Sequence, residues 1–350
     1  MFNKKSYLPV FTVLALASAL TACGGGGGSS PSVTAVAPVV VAPVVAPVVA
    51  ANIVTSIPAP SYAGATEELA AFNLLNAERS RCGFGMLAQN TALDTAAKSH
   101  ADWSLINNVY SHFENPNIAN GFTGVRPPDR ATAAGYSPLN VTETFEGQVG
   151  RPSITGRGVN SARSLMSAPY HLFGMMSPYR ELGVSIRSVN SVTPLIPNGL
   201  SNIAVYDFGV ATGADYQIAT ATTVSTYPCE GVTGVKPSMH GESPNPVPGR
   251  DLAANPLGHA ILAMVKKGQT LVISSASLTN TATGAAVALR APVTASNDPN
   301  NVLASYGTYM GYVVPDAALA ANSSYQATIV GTNDGVAFSR TFTFATGSDF

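Results

Sequence analysis

The stretch from 164 to 186 constrains the fold of this chain more strongly than any other, because two breaks surround one histidine there. Pro169 cannot continue a helix interior, and the pair Ser177-Pro178 marks a second break. The apolar residues Leu182, Val184 and Ile186 then alternate, as in a half-buried strand. The pattern predicts a helix that ends at Pro169, a loop that carries His171, and a strand. Functional side chains concentrate on such loops.

Length and charge limit the classes of function that this chain can have. Its 350 residues exceed the usual size of one domain, so we expect two folded units. Charged residues make up 11% of the chain, fewer than half the usual share, and apolar residues make up 46%. A net charge of -1 offers no electrostatic attraction to nucleic acid or to an anionic membrane surface. We therefore expect no nucleic-acid partner.

The N-terminus has the pattern of a bacterial secretory signal. A basic pair, Lys4-Lys5, precedes an apolar run over 7–20 and then small residues, which predicts a signal peptide over 1–22. The tetrapeptide Leu-Thr-Ala-Cys resembles a lipobox, whose Cys23 would be acylated and anchor the chain to a lipid bilayer. An ordinary signal peptide with a chance cysteine is the alternative. Gly24 replaces the aspartate used for inner-membrane retention, which favours an outer-membrane anchor in a cell with two membranes. We therefore expect an envelope or secreted protein.

A linker and a cysteine pair follow the signal. Residues 23–60 are rich in Gly, Pro, Val and Ala, which predicts an extended spacer, with a β-prone segment as the alternative. With Cys23 acylated, Cys82 and Cys229 remain in an oxidising compartment and predict one disulfide. Closing a loop of about 150 residues stabilises a fold by about 4–5 kcal/mol in the chain-entropy model. Two buried free thiols are the alternative.

Periodicity predicts two helices after the linker. The first begins at Thr66, carries apolar residues at three- and four-residue spacing, and ends by Gly83. The second begins near Thr91, with Asp94 as the acid of a capping box, and continues through Trp103.

Beyond about 235 the pattern changes to a Pro-rich junction followed by short β-type runs. The sequence Asn-Asp-Gly at 333–335 predicts a hairpin turn between the last two runs. This part of the chain predicts a small antiparallel β-sandwich, Ig-like in the loose sense. The predicted runs are 270–274, 307–314, 325–330 and 337–344.

Motifs in the first half occur in the order typical of one family. Together they resemble the bacterial type of the CAP (SCP) superfamily, which includes cysteine-rich secretory, antigen 5 and pathogenesis-related 1 proteins. The resemblance covers about 62–212. The matching segments are the Leu-Asn-x-x-Arg helix at 75–79, the Ala-Ala-x-x-His-Ala helix at 96–101, Ser-His at 111–112, Arg-x-x-x-Ala-Gly-Tyr at 130–136, Val-Thr-Glu-Thr at 141–144, the segment 164–186 and the strand 204–209.

The resemblance implies an α+β protein: a CAP-type α/β/α sandwich over 61–234, followed by the predicted Ig-like sandwich over 235–350. Members of the superfamily have a cleft with two histidines and two acids. His112, Glu143 and His171 match three of these positions. The second acid has no match, and Glu146 or Glu181 could approach the cleft.

Two imidazoles and a carboxylate suit a divalent metal such as zinc, with His112 and His171 as its ligands. The same groups could perform acid–base chemistry. The sequence has no His-Glu-x-x-His spacing and no nucleophile elbow. We therefore expect a cleft that binds an envelope or extracellular ligand. A metal-assisted hydrolase and a non-catalytic adhesion scaffold are the alternatives.

The remaining histidines and one arginine suggest structural roles. His100 lies among helical alanines, which favours packing, and Arg130 precedes an alanine-rich turn that we expect it to hold. His240 and His259 lie in or near the Pro-rich junction without paired ligand spacing, so we expect both to be solvated.

Overall fold

The computed structural model describes residues 50–150, 154–191 and 198–349. The predicted signal peptide, Cys23 and most of the linker lie outside these residues, so they stay predictions. The segment Val49–Phe350 forms one compact unit.

The described residues form a mixed α/β structure. None of the helices among them is long and apolar enough to cross a membrane. The helices are α1 (Glu67–Arg81), α2 (Thr91–Asn107), α3 (Pro127–Ala133), α4 (Arg157–Ser167), α5 (Pro169–Met176) and α6 (Val302–Tyr306). The strands are β1 (Ala88–Gln89), β2 (Pro138–Val149), β3 (Glu181–Ser188), β4 (Leu200–Ala211), β5 (Ser225–Tyr227), β6 (Val232–Val235), β7 (Ser238–Met239), β8 (Leu257–Gly258), β9 (Ile261–Met264), β10 (Leu271–Asn280), β11 (Val293–Thr294), β12 (Met310–Val313), β13 (Ser324–Asn333) and β14 (Val336–Thr346).

The first sheet has the strand order β1-β3-β4-β2 and carries helices on both faces. Successive side chains of a strand point to opposite faces. On β4, Ile203 and Val205 pack in one cluster with apolar residues of α2. Tyr206 and Phe208 of the same strand belong to a different cluster, which contains residues of α1, α4 and α5. The sheet therefore separates α2 from these three helices.

The C-terminal part contains two four-stranded sheets, with orders β10-β13-β14-β6 and β11-β12-β9-β5. The predicted hairpin is confirmed, because Asn333 pairs with Val336 and the turn residues Asp334 and Gly335 have φ of 48° and 79°. Positive φ at both central residues matches the twist of the flanking strands. The Ig-like assignment itself stays a prediction.

The predicted boundary between 234 and 235 falls inside β6, which pairs with β14. In the same way, β5 pairs with β9. One hydrophobic cluster contains Phe72 and Leu75 of α1 together with Phe342 and Phe344 of β14. The two predicted units thus share strands and core, and their division stays a prediction.

Two local predictions were wrong. Pro169 begins α5, where a missing N–H is tolerated, so His171 lies in a helix and not in a loop. Helix α2 is capped by Asn90, whose side chain accepts hydrogen bonds from the N–H groups of Ala92 and Leu93. The carboxylate of Asp94 instead accepts hydrogen bonds from neighbouring elements, including the backbone N–H of Val184 on β3 at 2.9 Å.

The predicted disulfide is present between Cys82 and Cys229, whose Cα atoms are 5.5 Å apart. Cys82 is the C-cap residue that follows α1, and Cys229 lies between β5 and β6. The two cysteines are 147 residues apart in sequence. The bond therefore links the end of α1 to the segment between β5 and β6, which belong to different C-terminal sheets.

Candidate functional site

A cavity of about 620 Å³ brings predicted site residues together. It lies between the loop at 110–113, the end of β2, α4, α5 and the segment 236–243. We call it the histidine pocket. Its lining includes His112, His171, His240, Glu146, Glu242 and the aromatic residues Tyr110, Phe113 and Phe145.

A buried carboxylate holds His112 at the wall of this pocket. Glu143 lies on β2 with its side chain fully buried, and its Oε1 is 2.9 Å from His112 Nδ1. The other oxygen accepts a hydrogen bond of 2.6 Å from Arg130 Nη2. The His112 side chain is 40% exposed. Because Nδ1 is occupied, Nε2 is the nitrogen that remains for a ligand.

His100 extends this network inside the protein. Its Nδ1 lies 3.1 Å from Glu114 Oε1, and its Nε2 lies 3.0 Å from the Ser111 carbonyl and 3.7 Å from Glu143 Oε1. A neutral imidazole donates from one nitrogen only. The Ser111 carbonyl can only accept, so Nε2 is the nitrogen that donates to it. The structural role expected for His100 agrees with its complete burial.

The pKa values of two neighbouring carboxyl groups are shifted in opposite directions. Burial by itself raises the pKa of Glu143, but the positive charges of His100 and Arg130, together with His112, hold it below its ordinary value. Asp207 on β4 is the cross-strand neighbour of Glu143 and is completely buried. Burial and the Glu143 charge raise the pKa of Asp207 well above its ordinary value. The surroundings therefore favour the charged form of Glu143 and the neutral form of Asp207.

Arg130 has a structural role, but it holds the loop that precedes α3 and not the alanine-rich turn that follows it. Its Nη1 donates to the carbonyl oxygens of His112 at 3.1 Å and Val125 at 3.3 Å, while its Nη2 binds Glu143. One buried guanidinium thus joins the loop before α3 to β2, the edge strand of the first sheet.

A second histidine–carboxylate pair lies on the other wall. His171 Nδ1 is 2.6 Å from Glu242 Oε1, and the Glu242 side chain is fully buried. Glu242 Oε2 also accepts a hydrogen bond of 3.1 Å from the backbone N–H of Tyr170 in the first turn of α5. Burial by itself lowers the pKa of His171, but the charges of Glu242 and Glu146 raise it above its ordinary value. The pair therefore favours an imidazolium facing the pocket.

The two acids that lacked a motif match lie in different places. Glu146 lines the histidine pocket and pairs with Arg157, at 3.1 Å between Nη1 and Oε1. Glu181 accepts hydrogen bonds from Tyr136 at 2.6 Å and Asn90 at 2.8 Å and is not among the pocket residues. The structure thus brings Glu146, and not Glu181, to the pocket.

The junction residues differ from expectation. Glu242 was missed, although it is the only acid in the Pro-rich segment 236–248. His240 is about half exposed, as expected, but it lines the histidine pocket. His259 is buried and not solvated, since its Nδ1 contacts the Lys236 carbonyl at 3.1 Å, and burial lowers its pKa to about 3. Asp207 was also missed, although it is the only charged residue in β4.

The donor set does not form a metal centre. Within 50–150, 154–191 and 198–349, no group of three or more His, Cys, Asp or Glu side chains could hold a metal ion. His112 and His171 each face a carboxylate of their own. Among the described residues His112, His171 and a carboxylate are thus not assembled into one zinc ligand set. Zinc binding stays a prediction.

Among known proteins, this chain has matches only in solved structures. No protein-family model and no curated protein matches this sequence. Among solved structures, a 1.5 Å crystal structure of an extracellular protein containing an SCP domain from Bacillus anthracis str. Ames is similar, with a TM-score of 0.31 and 18% identity. The match covers 41% of this chain and 40% of that chain, so this chain spans about two fifths of that protein's length. A TM-score of this size does not establish a shared fold.

The His171–Glu242 pair predicts a specific titration. In an NMR titration, His171 is expected to change charge above the ordinary histidine pKa of about 6.5, because Glu242 favours its charged form. Stability gained from a raised pKa is complete below about pH 6.5 and is lost as pH rises through the folded-state value. The Glu242→Gln variant should lower the His171 midpoint.

Glu181→Gln is the matched control, since Glu181 lies outside the pocket, and a His171→Gln variant assigns the resonance. Equal midpoints in the wild type and Glu242→Gln would contradict the pairing.

Proposed function

We propose that this chain is a CAP-like protein of the cell envelope or extracellular space that binds a small ligand in the histidine pocket. The observation that carries this proposal is the pairing of His112 and His171 with separate buried carboxylates at one cavity. Side chains held in this way lose little conformational freedom when a ligand binds. The pocket is therefore prepared for binding before any ligand arrives.

Size and lining suggest the class of ligand. About 620 Å³ falls within the range of small-molecule sites. Tyr110 and Phe113 stay 55% and 58% exposed at the pocket, and exposed apolar side chains clustered at a cavity commonly mark a binding surface. The charged form of His171 would attract an acidic group. The proposed ligand thus has an apolar or aromatic face and an anionic group.

Binding is favoured over hydrolysis by the arrangement of the same residues. A metal-assisted mechanism would need His112 and His171 on one ion with a carboxylate ligand. Here each carboxylate takes Nδ1 of its own histidine, and among the described residues no group of three or more His, Cys, Asp or Glu could hold an ion. Each histidine–carboxylate pair can hold a polar group of a ligand at its own wall of the pocket.

The family and fold parts of the proposal depend mainly on the ordered motifs. A sheet with helices on both faces and the His112–Glu143 contact are compatible with a CAP-type unit. Two four-stranded sheets in the C-terminal part are compatible with the proposed sandwich. The lipobox-like sequence supports an anchor through acylated Cys23 at the outer membrane.

The anchor can be tested by labelling. In a bacterial host fed radiolabelled palmitate, the full chain should incorporate label and sediment with membranes. Cys23→Ala should lose the label, because the acylated thiol is absent. A double variant of Cys82 and Cys229 to Ala is the control and should keep the label. Label that persists in Cys23→Ala would refute lipidation at this cysteine.

The histidine pocket can be tested with 8-anilinonaphthalene-1-sulfonate, which joins an aromatic face to an anionic group. The full chain in detergent should bind one equivalent at this pocket, followed by fluorescence. A Phe113→Ser, His171→Gln double variant should bind about tenfold more weakly or worse, since it loses a stacking surface and a charged partner.

Lys98→Met, an exposed change on α2, is the control and should leave affinity unchanged. Near-ultraviolet circular dichroism checks that each variant keeps its packing. Equal affinity in the folded double variant would show that the dye does not bind as proposed and would remove the support for this pocket.

A further inference from the structure

A second cavity, of about 250 Å³, has a different chemistry and shares no lining residue with the histidine pocket. It lies between the start of β2, the turn between α5 and β3, the loop after β9, and α6. We call it the tyrosine pocket, because Tyr179, Tyr216, Tyr306 and Tyr309 all line it.

One amide orients two of these hydroxyl groups. Asn140 Nδ2 donates to Tyr216 Oη at 2.9 Å and to Tyr179 Oη at 3.1 Å. A phenol oxygen that accepts a hydrogen bond still has its own hydrogen to donate. Asn140 therefore leaves both tyrosines as donors.

Three of these hydroxyl groups have a pKa above the ordinary tyrosine value. Burial, together with the neighbouring tyrosine hydroxyls, raises the pKa of Tyr179 and of Tyr309 above the ordinary value. Burial also raises the pKa of Tyr306. These groups consequently act as neutral hydrogen-bond donors.

A single cation completes the pocket. Lys267 Nζ lies 3.3 Å from the centroid of the Tyr216 ring. The residues that line the pocket include no Asp or Glu. Phenol donors beside an ammonium group, without a competing carboxylate, provide what an oxyanion needs, since hydrogen bonds to a charged acceptor are stronger than neutral ones.

We infer that the tyrosine pocket binds an oxyanion, a carboxylate or phosphate group of a small ligand, between the tyrosine hydroxyls and Lys267. A volume of about 250 Å³ leaves space for a group larger than a single ion. This site is separate from the proposed ligand site at His112 and His171.

Calorimetry on the full chain in detergent tests this inference with three probes: D-galacturonate, inorganic phosphate and the neutral sugar D-galactose. At least one anion should bind, and D-galactose should bind at least tenfold more weakly. Lys267→Met should weaken anion binding by about tenfold, the loss of one charge-assisted interaction. Tyr306→Phe, which removes one hydroxyl, should weaken it about threefold.

Lys266→Met is the matched control, because Lys266 is adjacent in sequence but does not line this pocket. It should bind as the wild type does, and so should the double variant of His112 and His171 to Ala. Binding of galacturonate alone identifies a carboxylate ligand, and binding of phosphate alone identifies a phosphate ligand.

Three results would overturn the inference. Neither anion binds, or D-galactose binds as tightly as galacturonate, or Lys267→Met binds like Lys266→Met. Loss of anion binding in the His112, His171 double variant would place the anion in the histidine pocket instead and would equally overturn it.

Discussion

The buried charge of Glu143 is the interaction on which the histidine pocket depends. An isolated carboxylate inside a protein is strongly disfavoured, so it persists only with well-placed partners. Arg130 supplies one partner on Oε2, while His112 lies against Oε1. Arg130 also donates hydrogen bonds to the carbonyl oxygens of His112 and Val125. The guanidinium that compensates the Glu143 charge therefore also holds the loop before α3. Glu143 on β2 and Arg130 thus together fix the position of His112 at the pocket.

On the opposite wall of the pocket, Glu242 holds His171 in place. It comes from the junction after β7, yet it binds the N-terminal turn of α5 and the imidazole of His171. A carboxylate near a helix N-terminus satisfies a free N–H and interacts favourably with the helix dipole. The wall that carries His171 is thus completed by the C-terminal part of the chain. The same part contributes His240 to the lining.

Local patterns predicted much of this structure. Apolar spacing located α1 and α2, and the Asn-Asp-Gly turn located the last hairpin. The ordered motifs selected His112 and Glu143, which lie 2.9 Å apart despite a separation of 31 residues. The cysteine count predicted the disulfide. The helices and the hairpin each have a signal within a few residues, and family motifs mark both His112 and Glu143. The disulfide follows from the two cysteines that remain besides Cys23.

Long-range partners could not be predicted in this way. Glu242 meets α5 across 72 residues, and nothing near His171 in sequence indicates such a partner. Asp207 faces Glu143 only because β2 and β4 pair in one register. His259 is buried by packing of the C-terminal part, although its neighbours in sequence include many loop-forming residues. Pro169 predicts a helix end, whereas in the structure it begins α5.

The unfolding free energy of Glu143→Gln as a function of pH tests the role of this buried charge most directly. Near pH 7 the variant should be less stable by about 3–5 kcal/mol, because Arg130 loses its buried partner. A carboxylate with a lowered folded-state pKa stabilises the protein above its unfolded value of about 4.3, and this contribution is lost as pH falls toward the folded value. The wild type should show that loss, and the variant should lack it. Asp215→Asn, at an exposed carboxylate, is the control. Equal stability of Glu143→Gln and the wild type at every pH would contradict the central role of the Glu143 charge.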